Sequence, residues 1–274
     1  MRCRWPKAWS SVESTAKWSE PQTQTADTDR RYQPDSLFSI LDRVELSTRS
    51  TLPELLDHGN VDIADYQRCM AELAVINRIT LTHRPTLRWL AQATRALPPG
   101  STFSVLDVGF GHGDLLRAIA RWAATRGLKA QLSGIDLEDR SAVVARSATP
   151  SEMTIEYRTG DVFSYSPNEP VDFVVSSQFT HHLTDREVVE FLNWLDLNSV
   201  YGWHIVDLHR HHAPYYGFPI LASLMRWHSI IRSDGKISIA RSFRRGDWQR
   251  YLDEAGLKAE ISWFAFRFCV CSVK

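Results

Sequence analysis

This sequence has few features of a membrane protein, a disulfide-rich protein or a secreted protein. Only four of its 274 residues are cysteines, Cys3, Cys69, Cys269 and Cys271, and their spacing matches no metal-binding motif. This is typical of a reduced protein, so we expect a cytoplasmic location. The chain has no run of eighteen uncharged apolar residues, which argues against a membrane span. Its N-terminal residues include no apolar stretch of the kind that a secretory signal needs.

An excess of charge of either sign is also missing. The chain has 32 Lys and Arg residues against 32 Asp and Glu residues. Nucleic-acid-binding domains usually show a basic excess, so we expect no nucleic-acid partner. The hydrophobic content of 43% and the charged content of 23% place the chain among ordinary globular proteins. Its length suits one catalytic domain with additional helices.

Three parts can be distinguished along the chain. Residues 1–33 are rich in Ser, Thr, Gln and charge, and we expect a disordered leader. In residues 34–100 the apolar side chains recur at helical spacing, which predicts an N-terminal helical cap. Residues 101–274 alternate strand-like and helical runs, which predicts an α/β domain. Within the cap, helices are expected at 37–44, after Pro53, at 62–79 and at 84–97.

A strand that turns on glycines into a helix stands near position 100. The strand-like run ends at Asp107 and Val108, and Gly109, Gly111 and Gly113 follow at alternate positions before a helical pattern begins. Such a turn leaves backbone N–H groups open at the start of the helix. Glycine has no Cβ, so a nucleotide can lie close against the backbone. The sequence therefore predicts a nucleotide-type cofactor site.

The spacing of the glycines indicates which cofactor binds. Dinucleotide folds use G-x-G-x-x-G, but the third position is Asp114 when counted from Gly109 and Leu116 when counted from Gly111. The observed acid-x-G-x-G-x-G resembles the first motif of class I methyltransferases that depend on S-adenosylmethionine (SAM). That resemblance implies that SAM is the cofactor, that the turn faces its amino acid part and that Asp107 holds its ammonium. The alternative is a glycine turn that serves packing alone.

Later strand ends supply further candidate cofactor contacts. Asp136 ends the second predicted strand, where an acid is placed to accept hydrogen bonds from ribose hydroxyls. Asp161 and Val162 follow the third strand. In the resembling family, an acid there reaches the adenine amine and the next amide meets the ring. Ser177, at the end of the fourth strand, completes the expected cofactor-binding set.

Two histidine-bearing loops follow the fourth and fifth predicted strands, 171–177 and 201–208. In open α/β sheets the ligand lies outside the carboxyl ends of the strands. Because histidine titrates near neutrality, His181, His182 and His209 are the candidate catalytic bases for an acceptor hydroxyl. A hydrogen-bonded structural role is the alternative for each of them, and many enzymes of this class use no base.

The number of histidines raises the alternative of a metal site. Six histidines lie between Phe179 and His212, and imidazole binds zinc or iron. The His-His pairs are adjacent rather than four residues apart on a helix, and few carboxylates stand near them in the sequence. We therefore expect no metal.

An aromatic and apolar insertion, 211–241, follows the fifth strand and contains Gly217 and Pro219 as expected breaks. We interpret it as a helical lid over an apolar substrate pocket, with a plain core helix as the alternative. A helix is expected after Ser242, and residues 259–273 suggest a terminal strand pair at the sheet edge. The whole pattern resembles a Rossmann-like class I methyltransferase with a seven-stranded, mostly parallel sheet and helices on both faces.

Finer details resemble bacterial small-molecule methyltransferases that are found with type III polyketide synthases. These are Ile76-Asn77-Arg78, the loop 179–183 and Asp207-Leu208-His209-Arg210. One departure is Leu81-Thr82-His83, where the family has glycine. The resemblance implies methyl transfer to an aromatic or polyketide-type hydroxyl.

Three alternatives to that reaction stay open. They are methylation of carbon or nitrogen, SAM binding without catalysis, and methylation of a nucleic acid. The last is disfavoured because Ser176-Ser177-Gln178-Phe179 stands where nucleic-acid amine methyltransferases carry an Asn-Pro-Pro-Tyr loop. The sequence gives no indication of the oligomeric state.

Overall fold

The computed structural model describes residues 46–57, 61–167 and 169–274. The expected leader, 1–33, and the expected helix at 37–44 lie outside these residues. Residues Glu45–Lys274 form one unit, and everything that follows concerns that unit.

A seven-stranded sheet organises this unit, with the strand order β3-β2-β1-β4-β5-β7-β6. Strands β1 to β5 run parallel, β7 lies antiparallel to β5, and β6 lies antiparallel to β7. This confirms the mostly parallel sheet and its terminal strand pair. Chain order reverses between β1 and β4, and ligands bind at such a switch point in open α/β sheets. The strands are β1 Thr102–Val108, β2 Lys129–Asp136, β3 Ile155–Thr159, β4 Val171–Ser177, β5 Ser199–Leu208, β6 Glu260–Phe264 and β7 Arg267–Val273.

Helices pack on both faces because the central strands are apolar on both sides. Val174 and Val175, adjacent on β4, are both fully buried and belong to different clusters. Val174 packs with residues of α5 and α8, and Val175 packs with residues of α2, α3 and α4. The helices are α1 Ile63–Ile79, α2 Arg84–Ala93, α3 Asp114–Thr125, α4 Asp139–Ser147, α5 Asp185–Asn198, α6 His212–Leu224, α7 Ser229–Arg241 and α8 Arg245–Ala255. Of these helices, none is both long and apolar enough to cross a membrane.

Helix α1 connects the sheet to the insertion. The Tyr66 hydroxyl lies 2.7 Å from Ser141 Oγ at the start of α4, and the Arg140 guanidinium lies over the Tyr66 ring. Cys69 and Ile76, also on α1, pack with Trp227 and other apolar residues of the insertion. These contacts place α1 against α4, which packs on the sheet, and against the insertion.

Three expected boundaries differ from the structure. Helix α2 ends at Ala93 rather than at residue 97, and the Thr94 hydroxyl donates to the Leu90 carbonyl at the end of the helix. The helix expected after Pro53 is a single 3₁₀ turn, Leu55–Asp57. The expected break at Gly217 and Pro219 is wrong, because both lie inside α6 and the chain breaks after Leu224. A proline removes one backbone hydrogen bond from a helix, and the packing of α6 on α7 outweighs that loss.

Candidate functional site

A cavity of about 910 Å³ lies at the carboxyl ends of the central strands. Its volume falls within the range of small-molecule sites. The glycine turn and Asp136 lie along one part of its wall, and the candidate histidines lie along another. Helices α6 and α7 of the insertion also contribute to the wall, and their role as a lid stays a prediction. The expected site residues that line this cavity are Asp107, Gly109, Gly111, Asp136, Ser177, His181, His182 and His209.

The three glycines of the turn have different surroundings. All three have positive φ, at 73°, 49° and 74° for Gly109, Gly111 and Gly113. A Cβ on Gly109 would lie 2.6 Å from the Phe179 ring, and a Cβ on Gly113 would lie 2.5 Å from the Tyr157 hydroxyl. A Cβ on Gly111 would meet only Met70 Sδ, at 3.8 Å. Two glycines are therefore required by packing, while Gly111 borders open space in the cavity wall.

Asp107 is a buried carboxylate that the described residues do not satisfy. It is 2% exposed, and its Oδ1 atom has no hydrogen-bond partner among those residues. Burial, followed by the charges of Asp114 and Asp136, raises its pKa well above the ordinary value. Because Asp107 lines the cavity, a cationic group of a ligand fits this position.

Asp136 is fixed beside the glycine turn by two backbone donors. Its Oδ2 atom accepts from the Gly111 N–H at 2.8 Å, and its Oδ1 atom accepts from the Glu138 N–H at 3.0 Å. A carboxylate has about four acceptor positions, so hydroxyl donors of a ligand can still bind. Ser177 also lines the cavity, and its buried hydroxyl has no partner among the described residues.

Asp161 and Val162 are not part of the cavity wall. Asp161 is exposed, and its Oδ1 atom accepts from the Phe163 N–H at 3.0 Å. Val162 is buried in the core. Leu137 and Glu138, which follow Asp136, line the cavity instead. The adenine contacts of Asp161 and Val162 stay a prediction.

A polar network near the glycine turn was not predicted from the sequence. Asp114 Oδ2 lies 3.1 Å from Asn77 Nδ2 and 2.8 Å from His83 Nε2, and Gln178 Nε2 donates to Asn77 Oδ1 at 2.6 Å. Burial opposes ionisation of Asp114, but His83 outweighs it and lowers the pKa to about 2. Leu81, where the family has glycine, has a φ of 55°, a conformation that favours glycine. The Asn77 motif was the only sequence signal for this network.

His181 is held between two carboxylates. Its Nδ1 atom lies 2.8 Å from Asp207 Oδ1, and its Nε2 atom lies 3.5 Å from Glu54 Oε1. Burial opposes the charged form, but Asp207 and Glu54 outweigh it and raise the pKa of His181 to about 10. His181 therefore carries a proton at neutral pH and stabilises negative charge, which does not suit a general base.

His182 and His209 differ from His181 in their partners. His182 Nδ1 lies 3.1 Å from Asp57 Oδ2, and its ring centroid lies 4.3 Å from that of His181. His209 Nδ1 accepts from Trp263 Nε1 at 3.3 Å, which engages the lone pair of that nitrogen. Burial, followed by the charge of His211, lowers the pKa of His209 to about 4, so it is neutral at pH 7. Of the three, His182 has the arrangement that best suits a base.

The carboxylates Glu54 and Asp57 come from the 46–57 segment. Arg241 donates to the carbonyls of Leu52 and His182, at 3.1 and 2.9 Å, and so holds this segment against the histidine loop. The Asp234 carboxylate of α7 accepts from two backbone N–H groups, those of Leu55 and Leu56, at 3.0 Å each. No residue pattern in the sequence indicated that the segment reaches the site.

Comparisons with known proteins give matches to methyltransferases. Residues 105–196 match the family described as "Methyltransferase domain". A ubiquinone biosynthesis O-methyltransferase from Paramagnetospirillum magneticum is 32% identical over 88 residues, which cover 32% of this chain and 33% of that protein. The match therefore spans about a third of the relative's length.

Solved structures of methyltransferases share the fold. The plantazolicin methyltransferase BpumL, in complex with a monoazolic desmethylPZN analog and SAH, has a TM-score of 0.55 at 14% identity, over 74% of this chain and 81% of that one. A SAM-dependent methyltransferase from Aquifex aeolicus has a TM-score of 0.54 at 17% identity, over 77% and 97%. Residues 105–196 are thus similar to a methyltransferase domain, and the chain shares the Rossmann-like fold of these solved methyltransferases.

Proposed function

We propose that this chain transfers the methyl group of SAM to a hydroxyl of a small aromatic or polyketide-type acceptor. The observation that carries the proposal is that an unsatisfied carboxylate, Asp107, and a histidine pair, His181 and His182, line the same cavity. A cation-binding group and a proton-handling group in one cavity suit a sulfonium donor and a hydroxyl acceptor. SAM supplies an electrophilic methyl group whose sulfonium carries a positive charge.

The residues around the glycine turn fit the amino acid and sugar of SAM. The ammonium group would satisfy Asp107 Oδ1, which has no partner among the described residues. Asp136, fixed by two backbone donors, presents its remaining acceptor positions to the ribose hydroxyls. The likeness to BpumL, which was solved in complex with SAH, supports this assignment.

The histidine pair fits the acceptor hydroxyl. His182 pairs through Nδ1 with Asp57, which leaves Nε2 to take the acceptor proton as the oxygen bonds to the methyl group. The protonated His181 would stabilise the negative charge that develops on that oxygen. The products are the methyl ether, SAH and a protonated His182. Because the donor is already activated, positioning supplies most of the catalysis.

The lid supports an apolar acceptor. Phe218 and Leu221 of α6 and Ile231 and Ile239 of α7 line the cavity beside the histidines. Apolar walls with few polar groups are typical of sites for aromatic small molecules. The resemblance of the 179–183 loop to polyketide-associated methyltransferases points to the same acceptor class. We expect no nucleic-acid substrate.

Mass spectrometry with labelled SAM tests the reaction. We expect label on the oxygen of phenolic or polyketide-type acceptors and none on oligonucleotides added as controls. Label on carbon or nitrogen would replace the hydroxyl assignment with the alternative methylation. Thermal unfolding should also show stabilisation by SAM and SAH, of about 2.7 kcal/mol at a hundredfold their Kd. Stabilisation by NAD alone would contradict the choice of cofactor.

A further inference from the structure

We propose that Glu54, His181 and His182 bind a divalent metal ion of the zinc type. One ligand atom of each residue lies within 4.8 Å of the others, and all three residues line the cavity. The sequence led us to expect no metal, because the His-His pairs are adjacent rather than four residues apart and few carboxylates stand near them. Metal binding is independent of the proposed function, and only the suggestion that the ion contacts an acceptor oxygen rests on it.

The donor set suits such an ion. Two imidazoles and one carboxylate are a set that zinc uses in catalytic sites, and imidazole also suits iron, nickel and copper. Donors about 2.1 Å from a zinc ion lie about 3.4 Å apart in a tetrahedral shell. Glu54 Oε1 and His181 Nε2 already lie 3.5 Å apart.

Both histidines are arranged as metal ligands usually are. A metal-binding histidine commonly donates its other ring N–H to a carboxylate, which fixes the tautomer and the ring. His181 has Asp207 at Nδ1, and His182 has Asp57 at Nδ1. In both residues Nε2 is left for a ligand, and the two rings are neighbours with centroids 4.3 Å apart.

Glu54 supplies the third and independent indication. Its side chain is 7% exposed, and its Oε1 atom has no hydrogen-bond partner within the described part of the chain. Buried carboxylate oxygens normally have partners. A protonated His181, 3.5 Å away, compensates the negative charge of Glu54 only in part. That pairing also does not explain why His182 lies close to the same two residues.

An ion held by three protein donors keeps a coordination position for a ligand. A hydroxyl oxygen bound there would release its proton to water more readily, as metal-bound water does. With the ion bound, Nε2 of His182 is a ligand and no longer a base, so this proton would not go to His182. The ion would then supply the positive charge that the proton on His181 otherwise supplies. Within the proposed function, this favours phenolic acceptors that offer an oxygen to the metal.

Cobalt and zinc titrations of the chelator-treated full chain test the site. Co²⁺ bound by imidazole and carboxylate gives visible absorption, and Zn²⁺ should abolish that absorption by displacement. We expect one equivalent to bind, with affinity reduced at least about 100-fold in Glu54→Gln and in His182→Asn. In Asp57→Asn, the loss should be about 10–100-fold, as for other second partners of metal-binding histidines. The exposed His212, whose ring stacks against Tyr216, gives the matched control His212→Asn, which should bind as the wild type does.

Each outcome decides the proposal. Wild-type protein without the cobalt absorption, equal binding by Glu54→Gln and His182→Asn, or lost binding in His212→Asn would each overturn it. Should Glu54→Gln fail to fold, the partly exposed His182 provides the second variant. SAM affinity is measured on the same metal-free samples. Metal binding without SAM binding would refute the proposed function alone, and SAM-dependent methylation without metal binding would refute the metal site alone.

Discussion

His181 and Asp207 are joined twice, through the imidazole and through the backbone. Nδ1 of His181 lies 2.8 Å from Asp207 Oδ1, and the His181 N–H donates to Asp207 Oδ2 at 3.0 Å. Asp207 is fully buried near the end of β5, next to the β4 edge from which the His181 loop emerges. The sheet therefore fixes the carboxylate, and the carboxylate fixes the ring with Nε2 toward Glu54.

Replacing Asp207 should destabilise the metal-free protein in a pH-dependent way. The pKa of His181 is raised from 6.5 to about 10, so the pair's contribution is full below about pH 6.5 and is lost as pH rises through about 10. At pH 7, Asp207→Asn should lower the free energy of unfolding by about 3 kcal/mol, because it removes the nearer of the two carboxylates that compensate a buried charge. Urea denaturation with a chelator present, at pH 7 and toward pH 10, measures the difference.

The exposed Asp253 of α8 provides the control. Asp253→Asn should change stability by less than about 0.5 kcal/mol at every pH. The argument fails if the gap between wild type and Asp207→Asn stays constant toward pH 10.

Replacing Asp107 should stabilise the free protein and weaken SAM binding. Its pKa is raised by burial, so the folded chain holds the proton more tightly than the unfolded chain and stability falls as pH rises between the two values. Asp107→Asn removes that cost, and the free protein should gain about 1–3 kcal/mol at neutral pH. Thermal unfolding with and without SAM measures both effects.

A second readout is proton release. An ammonium group lowers the pKa of the carboxylate that it contacts, so wild-type affinity for SAM should fall as pH falls through the raised pKa of Asp107. Calorimetry in two buffers detects the proton released on binding. Equal SAM affinity in Asp107→Asn and wild type would remove Asp107 from the cofactor site.

Local signals in the sequence were enough for most of the fold. Thr184-Asp185-Arg186-Glu187 has the sequence of a capping box, and the Thr184 hydroxyl accepts from the Glu187 N–H at the start of α5. A glycine commonly follows the end of a helix, and Gly256 ends α8 with a φ of 69°. These features depend on residues close together in the chain. The seven-stranded sheet was implied by the resemblance of the whole pattern of strands and helices to class I methyltransferases, and the structure confirms it.

The acceptor side of the site could not be predicted in the same way. Asp57 and His182 are 125 residues apart, and no periodicity or motif relates the 46–57 segment to the β4 loop. The protonation state of His181 could not be predicted from the sequence either. Its pKa depends on burial and on Glu54, and only the fold shows that Glu54 is a partner. The small number of carboxylates near the histidines in the sequence was therefore a poor guide, because Glu54 and Asp57 reach them from a distant segment.

Substitutions in the glycine turn should distinguish glycines needed for packing from a glycine needed for ligand binding. Gly113→Ala brings a Cβ to 2.5 Å from the Tyr157 hydroxyl, whereas Gly111→Ala meets only Met70 Sδ at 3.8 Å. Both have positive φ, which costs a non-glycine residue about 1–2 kcal/mol. Gly113→Ala should therefore lose more stability than Gly111→Ala, and Gly111→Ala should lose SAM affinity while folding. Urea denaturation and SAM titration of both variants decide this, and unchanged SAM affinity in Gly111→Ala would contradict a ligand at the turn.

A substitution at Gly235 should affect the lid helices α6 and α7 without affecting the cofactor site. Gly235 lies in α7 beneath the Phe218 ring of α6, and an added Cβ would overlap that ring. Gly235→Ala should therefore push the two lid helices apart, at a cost of about 1–3 kcal/mol in unfolding free energy. Since both residues line the cavity, KM for the acceptor should rise.

The Kd for SAM should stay unchanged in Gly235→Ala, because the glycine turn and Asp136 belong to other elements. Gly246 in α8 is the matched control, since a Cβ there meets nothing within 4 Å. Gly246→Ala should keep both constants and gain about 0.5–1 kcal/mol of stability, the usual helix preference for alanine. Equal losses of acceptor and SAM affinity in Gly235→Ala would mean that α6 and α7 support the whole cavity, and an unchanged acceptor KM would mean that they do not contact the acceptor.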